Sequence, residues 1–132
     1  MLVVDASVLV TALADDGPDG DWSRVRLRGE RLAAPELIDL EVSSVLRRLA
    51  LGGQLPPSRA ELAVADLLTF PLDRAPHRPL LLRCWELRET MTTYDAAYVA
   101  LAEALDAVLL TADVRLSRAP GPHCTIEVAQ RL

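Results

Sequence analysis

Four acidic residues stand where a carboxylate has chemical use. Asp5 ends the apolar run Leu2-Val3-Val4, and Asp113 follows a second apolar run in L-L-T-A-D. Glu41 lies in L-E-V-S-S-V-L-R-R-L, and Asp95 in T-T-Y-D-A-A-Y-V-A-L-A-E. Carboxylates gathered at one point repel each other, and some must then keep a proton. A divalent ion turns that repulsion into a binding site. A site rich in oxygen and poor in nitrogen and sulfur suits Mg²⁺ or Mn²⁺. The hydroxyls of Ser7 and Thr111 lie close enough in sequence to orient the acids or their water.

Each acid also has a plainer reading. Asp5 and Asp113 precede predicted helices, where aspartate is a good N-cap. Asp95 follows Thr92 by three residues, a variant of the capping box, and acids are favoured in a first helical turn. Glu41 is harder to explain this way. With Glu41 at zero on a helical wheel, Leu37 falls at about −40°, Val45 at about +40°, Ile38 at about +60° and Leu49 at about +80°. Glu41 thus sits within the apolar stripe, where a carboxylate costs several kcal/mol unless paired or ion-bound. Arg48, at about −20°, is the competing salt-bridge partner.

The elements that must carry these residues follow from periodicity. Residues 2–4 read as a buried strand, 6–14 as a helix and 15–20 as a turn-forming loop. A short amphipathic helix is predicted over 22–27, stopped by Gly29, and a strand over 32–34, ended by Pro35. The clearest helix is 36–51, stopped by Gly52-Gly53. Pro56-Pro57-Ser58 opens a helix over 59–68, and 70–72 reads as a brief extended piece. Helices are predicted at 79–90 and 93–105 and a buried strand at 107–111. One or two helical turns follow at 113–118, and a last strand at 124–128. Helices alternating with short apolar strands imply a parallel sheet with helices on both faces. Ligands of such sheets bind beyond the carboxyl ends of the strands, where Asp5 and Asp113 fall.

Composition sets the outer limits. The chain has 132 residues, 51% of them hydrophobic and 25% charged, as expected for one globular domain spanning 1–132. All 14 basic residues are Arg, against 19 acids, for a net charge of −5. Without Lys there is no Walker A loop, Schiff base or Ser–Lys dyad. The absence of Lys also separates the chain from response-regulator receivers. Two cysteines, Cys84 and Cys124, make neither a disulfide framework nor a zinc module. They are expected to be packed thiols. No basic leader or membrane-length apolar run appears, so a cytoplasmic setting is expected.

Other polar residues carry less. His77 and His123 lack partners at metal spacing. Trp85 is expected in the core. Asp15, Asp16, Asp19 and Asp21 lack the terminal Glu of an EF-hand loop. Asp106 ends a helix. The arginines cluster as Arg24, Arg26, Arg28 and Arg31, then Arg47 and Arg48, then Arg115 and Arg118. Arg115 and Arg118 follow Asp113 and are the candidates for contact with a phosphate-bearing ligand, since the guanidinium fork fits phosphate. Aromatic residues are 4% of the chain, too few for a base-stacking platform.

The ordered set V-V-D-A-S, L-E-V-S-S-V-L-R-R-L, Y-D-A-A-Y-V-A-L-A-E and L-L-T-A-D resembles the PIN-domain ribonucleases, most closely the VapC toxins of type II toxin–antitoxin modules. The resemblance covers nearly the whole chain; the stretch 52–88 is its least diagnostic part. It implies an α/β, PIN-like three-layer fold with a mostly parallel central sheet. It places an acidic quartet on Asp5, Glu41, Asp95 and Asp113, as catalytic residues and metal ligands, with Thr111 as the hydroxyl residue before the last acid. It further implies a Mg²⁺- or Mn²⁺-dependent endoribonuclease. Metal-activated water would attack the phosphodiester in line, leaving 5′-phosphate and 3′-hydroxyl ends. Asp5 with Asp95 or Asp113 would hold the tighter ion, and Glu41 a second ion or the attacking water. The implied partners are RNA, a VapB-like antitoxin and a second copy in a homodimer. The Leu-rich helices 36–51 and 59–68 are where a groove for the antitoxin is expected. Two rival readings stand beside it. A catalytically silent interaction module of the same fold would bind no metal. A haloacid-dehalogenase-type phosphatase would want Asp-x-Asp, where this chain has Asp5-Ala6-Ser7.

Overall fold

Leu2, Val3 and Val4 are all buried, and they form the central strand of a five-stranded parallel sheet in a computed structural model that describes residues 1–130. Arg131 and Leu132, at the end of the predicted domain, lie outside the described residues. The strands are β1 (Leu2–Val4), β2 (Leu32–Pro35), β3 (Asp73–Ala75), β4 (Val108–Thr111) and β5 (Ile126–Val128). Their order across the sheet is β3-β2-β1-β4-β5, and every neighbouring pair is parallel. The helices are α1 (Ala6–Ala14), α2 (Pro18–Leu27), α3 (Ile38–Leu51), α4 (Pro57–Thr69), α5 (Leu81–Glu86), α6 (Thr93–Leu105) and α7 (Val114–Arg118).

The chain runs outward in one direction from β1 to β3, then crosses back to β4. Parallel crossovers are right-handed, so the reversal puts α1–α4 on one face of the sheet and α5–α6 on the other. Packing agrees: α1 packs on α2, α3 and α4, while α6 lies along β1, β2 and β4 with α5 against it. The result is the predicted three-layer α/β architecture. The point where the strand order reverses lies between β1 and β4, and such a switch point opens a crevice beyond the strand ends. The register pairs Val4 with Leu110, which brings Asp5 level with Thr111.

Burial explains the elements. In α6, residues 96–102 are all buried, four of them Ala, so the helix sits close against the sheet. In α3 the stripe is Ile38, Val42 and Leu46; in α4 it is Ala60, Ala63 and Leu67. Gly53, at φ 74°, lets the chain leave α3 in the left-handed region. The far end of the sheet is tied by Arg26 of α2, whose Nε and Nη2 donate to the two carboxylate oxygens of Glu127 on β5 at 2.7 and 3.0 Å.

Five local expectations need correction. The helix predicted at 22–27 begins at Pro18, which takes a first-turn position where its missing N–H costs nothing. Gly20 therefore belongs to α2 rather than to the loop, and a Cβ there would collide with the carbonyl of Asp15. The extended piece at 70–72 is displaced to β3 at Asp73–Ala75, a polar strand formed by pairing with β2 rather than by burial. The helix at 79–90 is shorter: a 3-10 turn over Arg78–Leu80 leads into α5, and after Glu86 the chain continues in turns that mix i→i+3 and i→i+4 bonds. The last strand begins at Ile126 rather than 124. Trp85 is not core: it is 67% exposed, with the Arg88 guanidinium 4.7 Å from its ring centroid. The buried face here is Leu80, Cys84 and Leu87, and Trp85 points away from it. Both cysteines are free thiols, Cys84 buried and Cys124 half-buried. Among the described residues no helix is long and apolar enough to cross a membrane.

Candidate active site

Asp5 is fixed from three sides. It caps α1 by accepting from the Val8 N–H at 3.2 Å. Ser7 Oγ donates to Asp5 Oδ1 at 2.5 Å, and Thr111 Oγ1 donates to Oδ2. Each hydroxyl is itself held by the loop after β4: Ala112 N–H donates to Ser7 Oγ at 3.1 Å, and Asp113 N–H to Thr111 Oγ1 at 3.0 Å. The aspartate of one strand end is thereby locked to the loop of its neighbour. Burial pushes the Asp5 carboxyl above its ordinary value; the hydroxyl and Val8 bonds oppose this, and Asp95 adds to it.

Asp113 caps α7, accepting from the Arg115 N–H at 2.9 Å, with the Arg115 guanidinium 3.4 Å away. The capping reading of Asp5 and Asp113 is therefore correct, and capping does not remove either carboxylate from the crevice. Asp95 sits in the first turn of α6, where its N–H donates to Thr92 Oγ1 at 3.2 Å. Burial raises the Asp95 carboxyl, Asp113 raises it further, and Arg115 pulls it back.

Glu41 comes from α3. Its place on the wheel needs a small correction: the buried stripe centres on Ile38, Val42 and Leu46, and half-buried Glu41 lies at the margin. Its partner is not Arg48. The hydroxyl of Tyr98, a residue 2% exposed on α6, donates to Glu41 Oε1 at 2.6 Å. Burial raises the Glu41 carboxyl, Tyr98 lowers it, and Asp95 and Asp5 raise it. Burial and Glu41 in turn drive the Tyr98 phenol far up, so it stays a hydrogen donor.

All four acids line one open cavity of about 340 Å³, together with Ser7, Ser44, Arg48 and Tyr98. Their mutual repulsion joins them electrostatically: Asp5 with Asp95, Glu41 with both, and Asp95 with Asp113. Among the described residues, no three acid, histidine or cysteine side chains are grouped tightly enough as they stand to hold an ion. The carboxylates of Asp5, Glu41 and Asp113 each accept a hydrogen bond from a neighbouring group. Their donor chemistry, oxygen only, fits a hard divalent cation.

Thr111, predicted as a supporting residue, is fully buried, and Ser7 stands beside it on Asp5. Arg115 reaches the site through Asp113; Arg118, one turn further along α7, does not line the cavity. Sequence reasoning missed Tyr98 and Ser44. Tyr98 was recoverable from its spacing of three from Asp95, which puts both on one helical face. Ser44 carries no such signal.

The remaining candidates have structural roles. His77 Nε2 accepts from the Leu37 N–H at 3.0 Å, at the start of α3. His123 N–H donates to Glu103, which also binds Arg83. In the aspartate cluster, Asp15 accepts from Gly17 N–H, Asp16 pairs with Arg59 and Asp21 with Arg24. Asp106 closes α6 in the left-handed region.

The chain is similar to known proteins in sequence and in fold. The family model described as PIN domain matches residues 2–122. Ribonuclease VapC9 of Mycobacterium tuberculosis is 42% identical over 131 residues, covering 99% of this chain and 100% of its own. Ribonuclease VapC1 of the same species is 44% identical, covering 97% of each. Among solved structures, M. tuberculosis VapC20, titled a sarcin–ricin loop cleaving toxin, superposes with a TM-score of 0.70 at 14% identity, over 89% of this chain and 94% of its own. VapBC2 of Rickettsia felis, titled as bound to a promoter DNA fragment, gives 0.71 at 14% identity over 98% of each chain. By the family match and by full-length identity to its relatives, the chain belongs to the VapC ribonucleases of the PIN-domain family.

Proposed function

We propose that this single-domain chain is the toxin of a VapBC-type system, a divalent-metal-dependent endoribonuclease that works at the Asp5–Glu41–Asp95–Asp113 pocket. The observation that carries the reading is the convergence of four carboxylates from four separate elements at the β1/β4 switch point, with three of them raised by burial. Among the described residues, the ion pair of Arg115 with Asp113 is the only one made to that cluster. Asp5, Asp95 and Asp113 are the residues to hold Mg²⁺ or Mn²⁺, with Glu41 on a second ion or on the attacking water. An ion held there supplies Lewis-acid charge to the phosphodiester and makes a water nucleophile available near neutral pH.

The protein's own contribution is positioning. Ser7 and Thr111 hold both oxygens of Asp5, so its orientation is set before substrate arrives. Glu41, steadied by Tyr98, orients the water and takes its proton. Attack in line at phosphorus, with departure of the 3′-oxygen, gives 5′-phosphate and 3′-hydroxyl products.

By likeness to the VapBC complexes, the inhibitor is a VapB-like antitoxin. The groove expected between α3 and α4 is a small cavity of about 370 Å³. A larger cleft of about 920 Å³ lies by the amino ends of β2 and β3, with Leu13, Leu27, Leu32, Phe70 and Leu72 in its walls. It offers an antitoxin segment more apolar surface. Self-association is also proposed, and the exposed Leu81, Leu82 and Trp85 of α5 give it an apolar surface.

The test is cleavage of cellular RNA by purified protein with Mg²⁺ or Mn²⁺, and with chelator, followed by mapping of 5′ ends. Asp5→Asn keeps a good helix cap and is expected to retain the fold and the melting curve while cleavage falls to background. Full activity in chelator, or in Asp5→Asn, refutes the reading; a Mn²⁺ titration without heat favours a silent interaction module.

A further inference from the structure

Glu41, Ser44, Val45 and Arg48 occupy one face of α3 at the i, i+3, i+4 and i+7 spacing, and all four line the acidic cavity. Arg48 is exposed, and its side chain, among the described residues, makes no hydrogen bond or ion pair. We propose that Arg48 binds a phosphate of the RNA next to the one cleaved, an assignment that rests on the nuclease reading of this pocket.

The argument is electrostatic. Four acids in a chain of net charge −5 repel a polyanion, and nucleic-acid binding depends on phosphate neutralisation. Some cation at the pocket must therefore be free to engage phosphate. Arg115 is already on Asp113, and Arg118 does not line the cavity. Arg24, Arg26, Arg59, Arg74 and Arg83 are committed to carboxylates elsewhere. Arg48 alone both lines the cavity and keeps its guanidinium fork unengaged among the described residues, and that fork fits a phosphate through two parallel N–H bonds. Seven residues of helix separate Arg48 from Glu41 by about 10 Å along the axis. That offset suits a neighbouring phosphate better than the reacting one. Arg47, the next residue, faces the separate cavity between α3 and α4 and provides a control of equal charge.

The experiment uses the full chain and a fluorescein-labelled, mixed-sequence single-stranded RNA. Binding is followed by anisotropy across a salt series in the Asp5→Asn background. Adding Arg48→Ala is expected to weaken binding about tenfold and to lower the slope of log K against log salt by about 0.7, the loss of one phosphate contact. Arg48→Lys restores the slope and part of the affinity; Arg47→Ala changes neither. In otherwise wild-type protein, Arg48→Ala raises KM with kcat nearly unchanged, and Mn²⁺ titration heats match the wild type. Unchanged RNA binding and KM in Arg48→Ala overturn the assignment while the wild type still cleaves. An equal loss in Arg47→Ala also overturns it, because general charge then explains the effect. A wild type that leaves RNA intact overturns both the assignment and the nuclease reading.

Discussion

Tyr98 reaches from α6 to Glu41 on α3 with a hydrogen bond of 2.6 Å, so a helix on one face of the sheet steadies a carboxylate borne by a helix on the other. The bond passes the open end of the β1/β4 crevice. It steadies one of the two acids that helices rather than strand ends carry.

Tyr98→Phe removes that donor and little else. A net hydrogen bond contributes about 1 kcal/mol, and the Glu41 acceptor left behind still reaches water through the cavity. The expected loss of stability is about 1 kcal/mol, measured by urea denaturation. RNA cleavage is expected to fall by more than that fraction of folded protein explains, since Glu41 loses its fixed orientation. Unchanged kcat would show that Tyr98 serves packing only.

The raised carboxyls of Asp5, Glu41 and Asp95 make a pH prediction with a definite sign. In each, the folded protein holds its proton to higher pH than the unfolded chain does. Stability therefore falls as pH rises from the ordinary carboxylate range through these raised values, and the penalty is complete above them. The triple variant Asp5→Asn, Glu41→Gln, Asp95→Asn removes it. In chelator, its melting temperature is expected to exceed the wild type's by a margin that grows from about pH 4 to pH 7. A margin that shrinks over this range would contradict the burial argument.

Divalent ions should relieve the same penalty. Mn²⁺ at about one hundred times its Kd is expected to stabilise the wild type by about 2.7 kcal/mol and the triple variant hardly at all. Calorimetric scans with and without ion measure the difference. Equal shifts in both proteins would place the ion elsewhere.

His77 supplies an acceptor to the N–H of Leu37, the residue that leads into α3, across forty residues of sequence. His77→Ala is expected to cost about 1 kcal/mol, as for loss of an N-cap, and to reduce cleavage through the helix that carries Glu41. His77→Gln, which keeps an acceptor, recovers part of both. Thermal denaturation and a cleavage time course read the two effects.

Sequence periodicity reveals the buried strands and misplaces the most polar one. Leu2–Val4 and Val108–Thr111 are apolar runs, and each delivers its aspartate to the crevice. Strand β3, Asp-Arg-Ala, carries no apolar signal because pairing at a sheet edge holds it in place. Glu41 was legible as an acid on the wrong face of a helix, though its partner was not. The wheel offered Arg48 from the same helix, whereas Tyr98 lies 57 residues away and meets it only through the fold. Trp85 shows the same limit: an apolar residue type on a short helix does not say which side of that helix is covered.

The helices that begin at the crevice leave one more consequence. Asp5 caps α1, and Asp95 lies in the first turn of α6. The aligned peptide dipoles of these two helices each direct roughly half a positive charge to that end. Together they form a fixed electropositive frame of about one unit that neither proton uptake nor side-chain substitution removes. The backbone thus moderates a crowded anionic centre in advance of any counterion.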